Sequence, residues 1–196
     1  MKDATVLNPA DGRGHQAPVR VAIIADTHGW VDPRVLAVVA GCDLVVHGGD
    51  IGNAAVIARL RRRRDRIFAV RGNNDRPADW PPADLGLLAT IPTQLQVRLP
   101  GGLLVVIHGH QLPARVRHER LRQRFPQARA LVCGHSHQLL LDQDTLPWVL
   151  NPGAAGQDRA YGGPSCLVLT ADEADWQVAS HRFQPLKGAK QRPVTF

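Results

Sequence analysis

The sequence predicts an α/β fold in which two sheets pack face to face and helices cover the outside. Residues 19–75 alternate strand-like and helix-like runs, which is typical of parallel strands joined by right-handed crossovers. The second half instead contains closely spaced short strand-like runs, and the alternating pair around Pro100-Gly101-Gly102 indicates a hairpin. The 196 residues are enough for one domain with this core.

The predicted strands are short apolar runs. The first of them, residues 21–25, is apolar without alternation, as expected for a parallel strand that is covered on both faces. We expect strands at residues 21–25, 44–46, 67–70, 95–99, 103–107, 130–133, 139–141, 148–150, 165–169 and 176–181.

Helix-start signals follow the first two strands. Asp32 is a typical N-cap with Pro33 in the first turn, and Gly41 suits the end of that helix. Asn53 caps a second helix with an apolar stripe. We expect a third helix over residues 113–125, and a loop with room for one helical turn over the Pro- and Ala-rich residues 76–92.

Composition excludes several protein classes. There is no run of 18 apolar residues, so a membrane span is not expected. The three cysteines are scattered and odd in number, which argues against a disulfide framework and favours a reducing, cytoplasmic location. We interpret residues 1–18 as a flexible leader, 19–184 as the folded domain and 185–196 as a basic tail.

Arginine supplies most of the net charge of +7, and it is concentrated at residues 59–66 and 115–124. Such runs are usually solvent-exposed helix faces. The alternative is a basic surface that attracts polyanions, which leaves nucleic acid open as a partner. No aromatic residues alternate with these arginines, so base stacking is not indicated.

Polar motifs follow five of the predicted strands. Carboxyl ends of parallel strands share one edge of a sheet, where ligands bind. Carboxylate, amide and imidazole groups suit a divalent transition metal, and there are enough of them for two ions. The motifs are Asp26-Thr27-His28, Gly48-Gly49-Asp50, Gly72-Asn73-Asn74-Asp75, His108-Gly109-His110 and His135-Ser136-His137.

The order of these motifs resembles the calcineurin-like metallophosphoesterase family, and most closely its small single-domain phosphodiesterase branch. The run Asn151-Pro152-Gly153-Ala154 is similar to the Asn-Pro-Gly-Ser turn of that branch. The resemblance covers roughly residues 19–182. It implies a four-layer α/β/β/α sandwich of two mixed sheets flanked by helices.

The resemblance also implies two divalent metal ions, with Mn expected first and Fe, Ni or Zn as alternatives. Asp50 would bridge the two ions. One ion would be held by Asp26, His28, Asp50 and His137, and the other by Asp50, Asn73, His108 and His135.

The third motif departs from much of the family, which has a histidine that protonates the leaving group where this chain has Asn74. A carboxamide donates a hydrogen bond but supplies no proton. We therefore predict catalytic roles for Asn74 and for His110, a candidate substitute acid. His47 is interpreted as structural, and Asp75 either orients metal ligands or caps the following segment.

The predicted function is a dinuclear metal-dependent phosphoesterase. The resemblance favours a phosphodiesterase that acts through a metal-bridging hydroxide on cyclic nucleotides, nucleic-acid ends or small diesters. The alternative is a non-catalytic metal-binding scaffold subunit on the same fold. The physiological substrate, the native metal and the oligomeric state, a dimer included, stay open.

Overall fold

The computed structural model describes residues 5–7, 18–63, 66–157 and 159–185. Short 3-10 turns at Pro82–Asp84 and Ala114–Val116 precede the last two helices. The elements are β1 (Thr5–Leu7), β2 (Val19–Ile24), α1 (Pro33–Ala40), β3 (Leu44–His47), α2 (Ala54–Arg61), β4 (Ile67–Ala69), α3 (Leu85–Thr90), β5 (Gln94–Leu99), β6 (Gly102–Ile107), α4 (Arg117–Arg124), β7 (Ala130–Val132), β8 (Leu139–Asp142), β9 (Trp148–Pro152), β10 (Ser165–Ala171) and β11 (Trp176–Arg182).

Two mixed sheets form the centre of the fold. The five-stranded sheet has the order β11-β10-β2-β3-β4, in which β2, β3 and β4 are parallel and β10 is antiparallel to both of its neighbours. The six-stranded sheet has the order β1-β5-β6-β7-β9-β8, and the predicted hairpin is its β5–β6 pair. The parallel first half and the strand-rich second half are therefore as predicted.

Three apolar clusters define four layers. Alternate residues of β2 face opposite sides: Val21 and Ile23 pack between the sheets, while Ala22 and Ile24 pack under α1 and α2. The third cluster lies on the outer face of the six-stranded sheet, where Leu121 of α4 is fully buried. The α/β/β/α sandwich is confirmed.

Local capping signals place the first two helices as expected. The Asp32 side chain accepts a hydrogen bond from Arg34 N (2.8 Å), and Asn53 Oδ1 accepts one from Val56 N (3.3 Å). Gly41 is the C-cap residue of α1. These caps satisfy backbone donors that the first turn of a helix leaves free.

The structure differs from the prediction in two segments. The expected loop at residues 76–92 contains α3, which buries Leu88 against the helix-side core. Part of the predicted flexible leader, Thr5–Leu7, forms β1 and pairs in parallel with β5. The rest of the leader, residues 1–4 and 8–17, and tail residues 186–196 lie outside the described residues.

No helix in the described part is long and apolar enough to cross a bilayer.

The second arginine-rich segment is largely engaged with the protein itself. Arg117 is buried and donates to Gly109 O (2.9 Å), and Arg122 donates to Pro147 O (2.9 Å). The Arg124 guanidinium stacks on Phe125. Three of its five arginines therefore have structural contacts, whereas the described arginines of residues 59–63 are exposed.

Candidate metal centre

All five polar motifs meet at one rim of the sandwich. The loops after β2, β3 and β4 come from one sheet, and those after β6 and β7 come from the other. Backbone hydrogen bonds connect them: Asp26 N donates to Gly49 O (2.9 Å), His28 N to Asp50 O (3.0 Å), and Gly134 N to His108 O (3.1 Å). These hydrogen bonds fix the positions of the connected loops relative to one another.

The first predicted ligand set converges on one point. Asp26, His28, Asp50 and His137 each offer one ligand atom, and these atoms all lie within 4.8 Å of one another. His28 Nε2 is 3.3 Å from His137 Nε2 and 3.7 Å from Asp50 Oδ2, and His137 Nε2 is 3.5 Å from Asp26 Oδ1. Two carboxylates and two imidazoles are a typical donor set for a divalent transition metal.

The second predicted set lies on the other side of Asp50. His108 Nε2 is 3.4 Å from Asp50 Oδ1, and the His108 and His135 rings meet edge-on with centroids 5.3 Å apart. Four side-chain nitrogen or oxygen atoms of the described residues are buried without a hydrogen-bond partner, and His108 Nε2 and Asn73 Oδ1 are two of them. His108 Nδ1 donates to Gly48 O (2.8 Å), which leaves the lone pair on Nε2. A cation would satisfy both of these atoms, so the residues fit a second ion.

Backbone strain is concentrated at this centre. Only six non-glycine residues of the described chain have left-handed φ angles, between 45° and 69°. A non-glycine residue in this region costs on the order of 1–3 kcal/mol and persists where the surroundings impose it. Five of the six are predicted ligands, and the sixth is an arginine. They are Asp26, His28, Asp50, His135, His137 and Arg159.

Two glycines allow the loops to approach closely. A Cβ on Gly72 would overlap Asp50 Oδ1 and lie 2.5 Å from Asp50 N. A Cβ on Gly134 would lie 2.9 Å from Asp26 Oδ2. Because any side chain here would displace a predicted ligand, these motif glycines are steric requirements of the centre.

Burial and neighbouring charges shift the pKa values of several groups at this centre. Desolvation raises the pKa of Asp26 to about 8, against the lowering effect of His108. For Asp50, burial also raises the pKa, but the proximity of His108 and hydrogen bonds from Asn74 outweigh it and lower the pKa. Desolvation lowers the pKa of His135 to about 4, which keeps the ring neutral and able to ligate.

Asp75 orients two of the ligand-bearing loops. Its buried carboxylate accepts hydrogen bonds from Ile51 N (2.9 Å), Gly52 N (3.0 Å) and Gly72 N (2.8 Å), and also from Trp80 Nε1 (3.1 Å). Of the two roles considered for Asp75, the orienting role fits these contacts.

Two further side chains support the loops. His47 Nδ1 accepts from Gly49 N (3.2 Å), and its Nε2 lies 3.0 Å from Thr27 Oγ1, consistent with the structural role predicted for it. Asn151 Nδ2 donates to Gly134 O (2.9 Å) and to Ser136 Oγ (3.0 Å). The Asn-Pro-Gly-Ala turn therefore positions the loop that carries the last two histidines.

The two residues with predicted catalytic roles lie at the centre in different ways. Asn74 binds Asp50 twice, through its backbone N to Oδ1 (2.9 Å) and through Nδ2 to Oδ2 (2.7 Å). His110 lies beside the second ligand set, with its ring centroid 5.5 Å from that of His108 and 6.2 Å from that of His135. Asn74 thus orients the Asp50 carboxylate, and both catalytic assignments stay predictions.

One residue at the rim was missed by the sequence analysis. Arg159 follows the Asn-Pro-Gly-Ala turn, and its Nη2 is 3.3 Å from His28 Nε2. The only available signal was an arginine in a glycine-rich segment behind a site motif, in a chain where arginine is common.

Comparison with known proteins identifies the family of this chain. A family model described as a calcineurin-like phosphoesterase superfamily domain matches residues 19–174. A probable metallophosphoesterase from Mycoplasma pneumoniae is 28% identical over 143 residues, which cover 69% of this chain and 78% of that protein.

Solved structures share the fold at low sequence identity. Vacuolar protein sorting 29 from Cryptosporidium parvum matches with a TM-score of 0.66 and 19% identity, covering 85% of this chain and 98% of its own. A protein described as a novel archaeal phosphodiesterase matches with a TM-score of 0.62 and 18% identity, covering 83% and 99%.

Proposed function

Because this chain belongs to the calcineurin-like phosphoesterase superfamily, we propose that it is a dinuclear metal-dependent phosphodiesterase. The observation that carries the proposal is the arrangement around Asp50. Its two oxygens face separate groups of ligand atoms, His28 on one side and His108 on the other. Two divalent ions held at such a site neutralise phosphoryl oxygens and provide a hydrolytic nucleophile near neutral pH.

Individual residues of this chain would have separate roles in holding the metals and the substrate. Asp50 would bridge the metal positions, and the two hydrogen bonds from Asn74 would hold its carboxylate in that orientation. Asn73 would contribute a neutral oxygen, which leaves net positive charge for an anionic substrate. The buried rim loops limit water around the ligands, since Asp26 and His108 are fully buried.

The proposed substrate class is phosphodiesters with good leaving groups. Asn74 cannot supply a proton, and its side-chain amide is engaged with Asp50. His110 is an imidazole outside the ligand set that lies beside His108. Desolvation lowers its pKa, so at pH 7 it is largely neutral and a weak general acid. Alkyl monoesters should therefore be poor substrates.

The experiment compares metal content and turnover in one preparation. Metal-stripped protein is refilled with Mn²⁺, Fe²⁺, Ni²⁺, Zn²⁺ or Mg²⁺ and assayed with an aryl diester and an alkyl monoester. We expect two ions per chain and preferential hydrolysis of the diester. Elemental analysis that finds at most one ion after saturation would overturn the dinuclear proposal.

Paired variants test the role of the bridge. Asp50→Asn should lose metal and activity together. Asp43→Asn, at the amino end of β3 and so at the opposite rim, makes the same chemical change at a carboxylate that accepts from Arg20 N (2.8 Å). It should retain both ions and full turnover.

The alternative function is a metal-binding scaffold without catalysis. The fold match to vacuolar protein sorting 29 over nearly that protein's whole length supports considering it. Wild-type protein that holds two ions but turns over no member of a broad phosphate-ester panel would favour the scaffold over the enzyme.

A further inference from the structure

The Arg159 side chain reaches the candidate metal centre from the loop after β9. Its Nη2 lies 3.3 Å from His28 Nε2, the same nitrogen that lies 3.3 Å from His137 Nε2 and 3.7 Å from Asp50 Oδ2. A guanidinium is permanently protonated and only donates hydrogen bonds. A fixed positive charge is therefore held against an atom of the first predicted ligand set.

The contact with His28 cannot persist when the centre is loaded. The Nε2 lone pair can serve either the guanidinium or a metal ion. Once it binds a metal, Nη2 loses this acceptor and is left at the rim with unused donors. An anionic ligand at the centre would then offer Nη2 a charged acceptor.

The backbone conformation around Arg159 directs its side chain toward the candidate metal centre. Its φ of 52° makes it the only described non-glycine residue outside the predicted ligands with a left-handed conformation. The segment before it is attached to the ligand loop, because Ala155 N donates to Ala25 O (2.9 Å). A Cβ on Gly156 would lie 2.5 Å from Thr27 O, so the two segments are in direct contact.

The positive charge of Arg159 is not paired with a carboxylate in the described chain. Its side chain is exposed at the rim, and no described carboxylate lies within ion-pair distance of it. By contrast, Arg34 pairs with Asp32 (2.7 Å), and Arg117 donates to backbone carbonyls. The planar fork of an arginine matches the geometry of two phosphoryl oxygens.

We propose that Arg159 is a substrate-binding residue that donates to the non-bridging oxygens of the phosphoryl group. This rests on the proposed function, and it names the contact by which the site would recognise an anionic phosphate ester. The contact would be equally available to a phosphate product, so phosphate affinity reports it without turnover.

The test uses metal-loaded protein and inorganic phosphate as the probe. Phosphate binding is measured by calorimetry for wild type, Arg159→Gln, Arg159→Lys and the control Arg120→Gln, which removes one exposed positive charge on α4. We expect Arg159→Gln to weaken phosphate binding by about tenfold to a hundredfold, the effect of removing a charge-assisted hydrogen bond. The phosphate affinity of Arg159→Lys should lie between those of wild type and Arg159→Gln, and that of Arg120→Gln should match wild type.

Two additional readouts separate a binding role from a structural one. Metal content should be unchanged in Arg159→Gln, and KM for an aryl diester should rise by a larger factor than kcat falls. The proposal is overturned if Arg159→Gln loses metal, if it binds phosphate within twofold of wild type, or if wild type binds no phosphate. Arg159-dependent phosphate binding in a wild type that hydrolyses no ester would instead overturn the proposed function alone.

Discussion

The Asp75 carboxylate offers the sharpest test of how the rim loops are held. It accepts four N–H donors: the backbone N of Ile51, Gly52 and Gly72, and Trp80 Nε1, at 2.8–3.1 Å. In Asp75→Asn, one oxygen can still accept three of them. The new NH₂ group must face the fourth, so one buried N–H is left without an acceptor.

The expected loss of stability follows from these contacts. An unsatisfied buried donor costs about 1–3 kcal/mol, and each remaining hydrogen bond weakens by about 1 kcal/mol when its acceptor loses the negative charge. The sum for Asp75→Asn is about 4–6 kcal/mol of unfolding free energy. Trp80→Phe removes a single donor and should cost about 1–2 kcal/mol, which makes it the matched control.

The assay is urea unfolding of the metal-free proteins, followed by far-UV circular dichroism because one variant changes a tryptophan. Metal content is measured in parallel, since the loops that Asp75 ties together carry Asp50 and Asn73. Asp75→Asn should bind less metal than wild type. If it is no less stable than Trp80→Phe, the idea that one carboxylate organises both loops is refuted.

Three further predictions concern the close approach, the loop anchor and a surface ion pair. Gly72→Ala should lower metal content by displacing the Asp50 carboxylate. Gly86→Ala, with nothing within 4 Å of the added Cβ in α3, should keep its metal and gain about 0.5–1 kcal/mol of unfolding free energy. Asn151→Ala should weaken metal affinity by about 10- to 100-fold in a competition titration, because the loop after β7 loses its anchor. Hydrogen bonding from Arg122 lowers the pKa of Asp142, so its stabilisation is present at pH 7 and is lost as pH falls through the folded-state pKa. Asp142→Asn should therefore be less stable than wild type by about 1 kcal/mol at pH 7, and denaturant titrations should show this difference vanishing once the pH lies below the folded-state pKa of Asp142.

The layered fold and the location of the site were readable from local sequence. Each ligand motif follows a short apolar run, and parallel strands must bring such ends to one edge. Asp26 and His28, after β2, illustrate this. Helix ends were equally local, because a cap such as Asp32 acts on the backbone two residues away.

Sequence reasoning failed where tertiary packing decides the structure. The segment Leu85–Thr90 is six residues long, too short to show a helical period beside the prolines that precede it. Burial of Leu88 in the core stabilises this helix. Likewise, β1 is the edge strand of the six-stranded sheet and depends on its pairing with β5.

The details of the site depended most on the folded chain. Asn74 could be predicted to lie at the centre, but the bond from its amide to Asp50 could not, since it joins two loops that only the sheet brings together. Arg159 is 131 residues from His28 along the chain. Its contact and its left-handed backbone are imposed by neighbouring loops, and no local pattern of residues encodes constraints that arise from such distant parts of the chain.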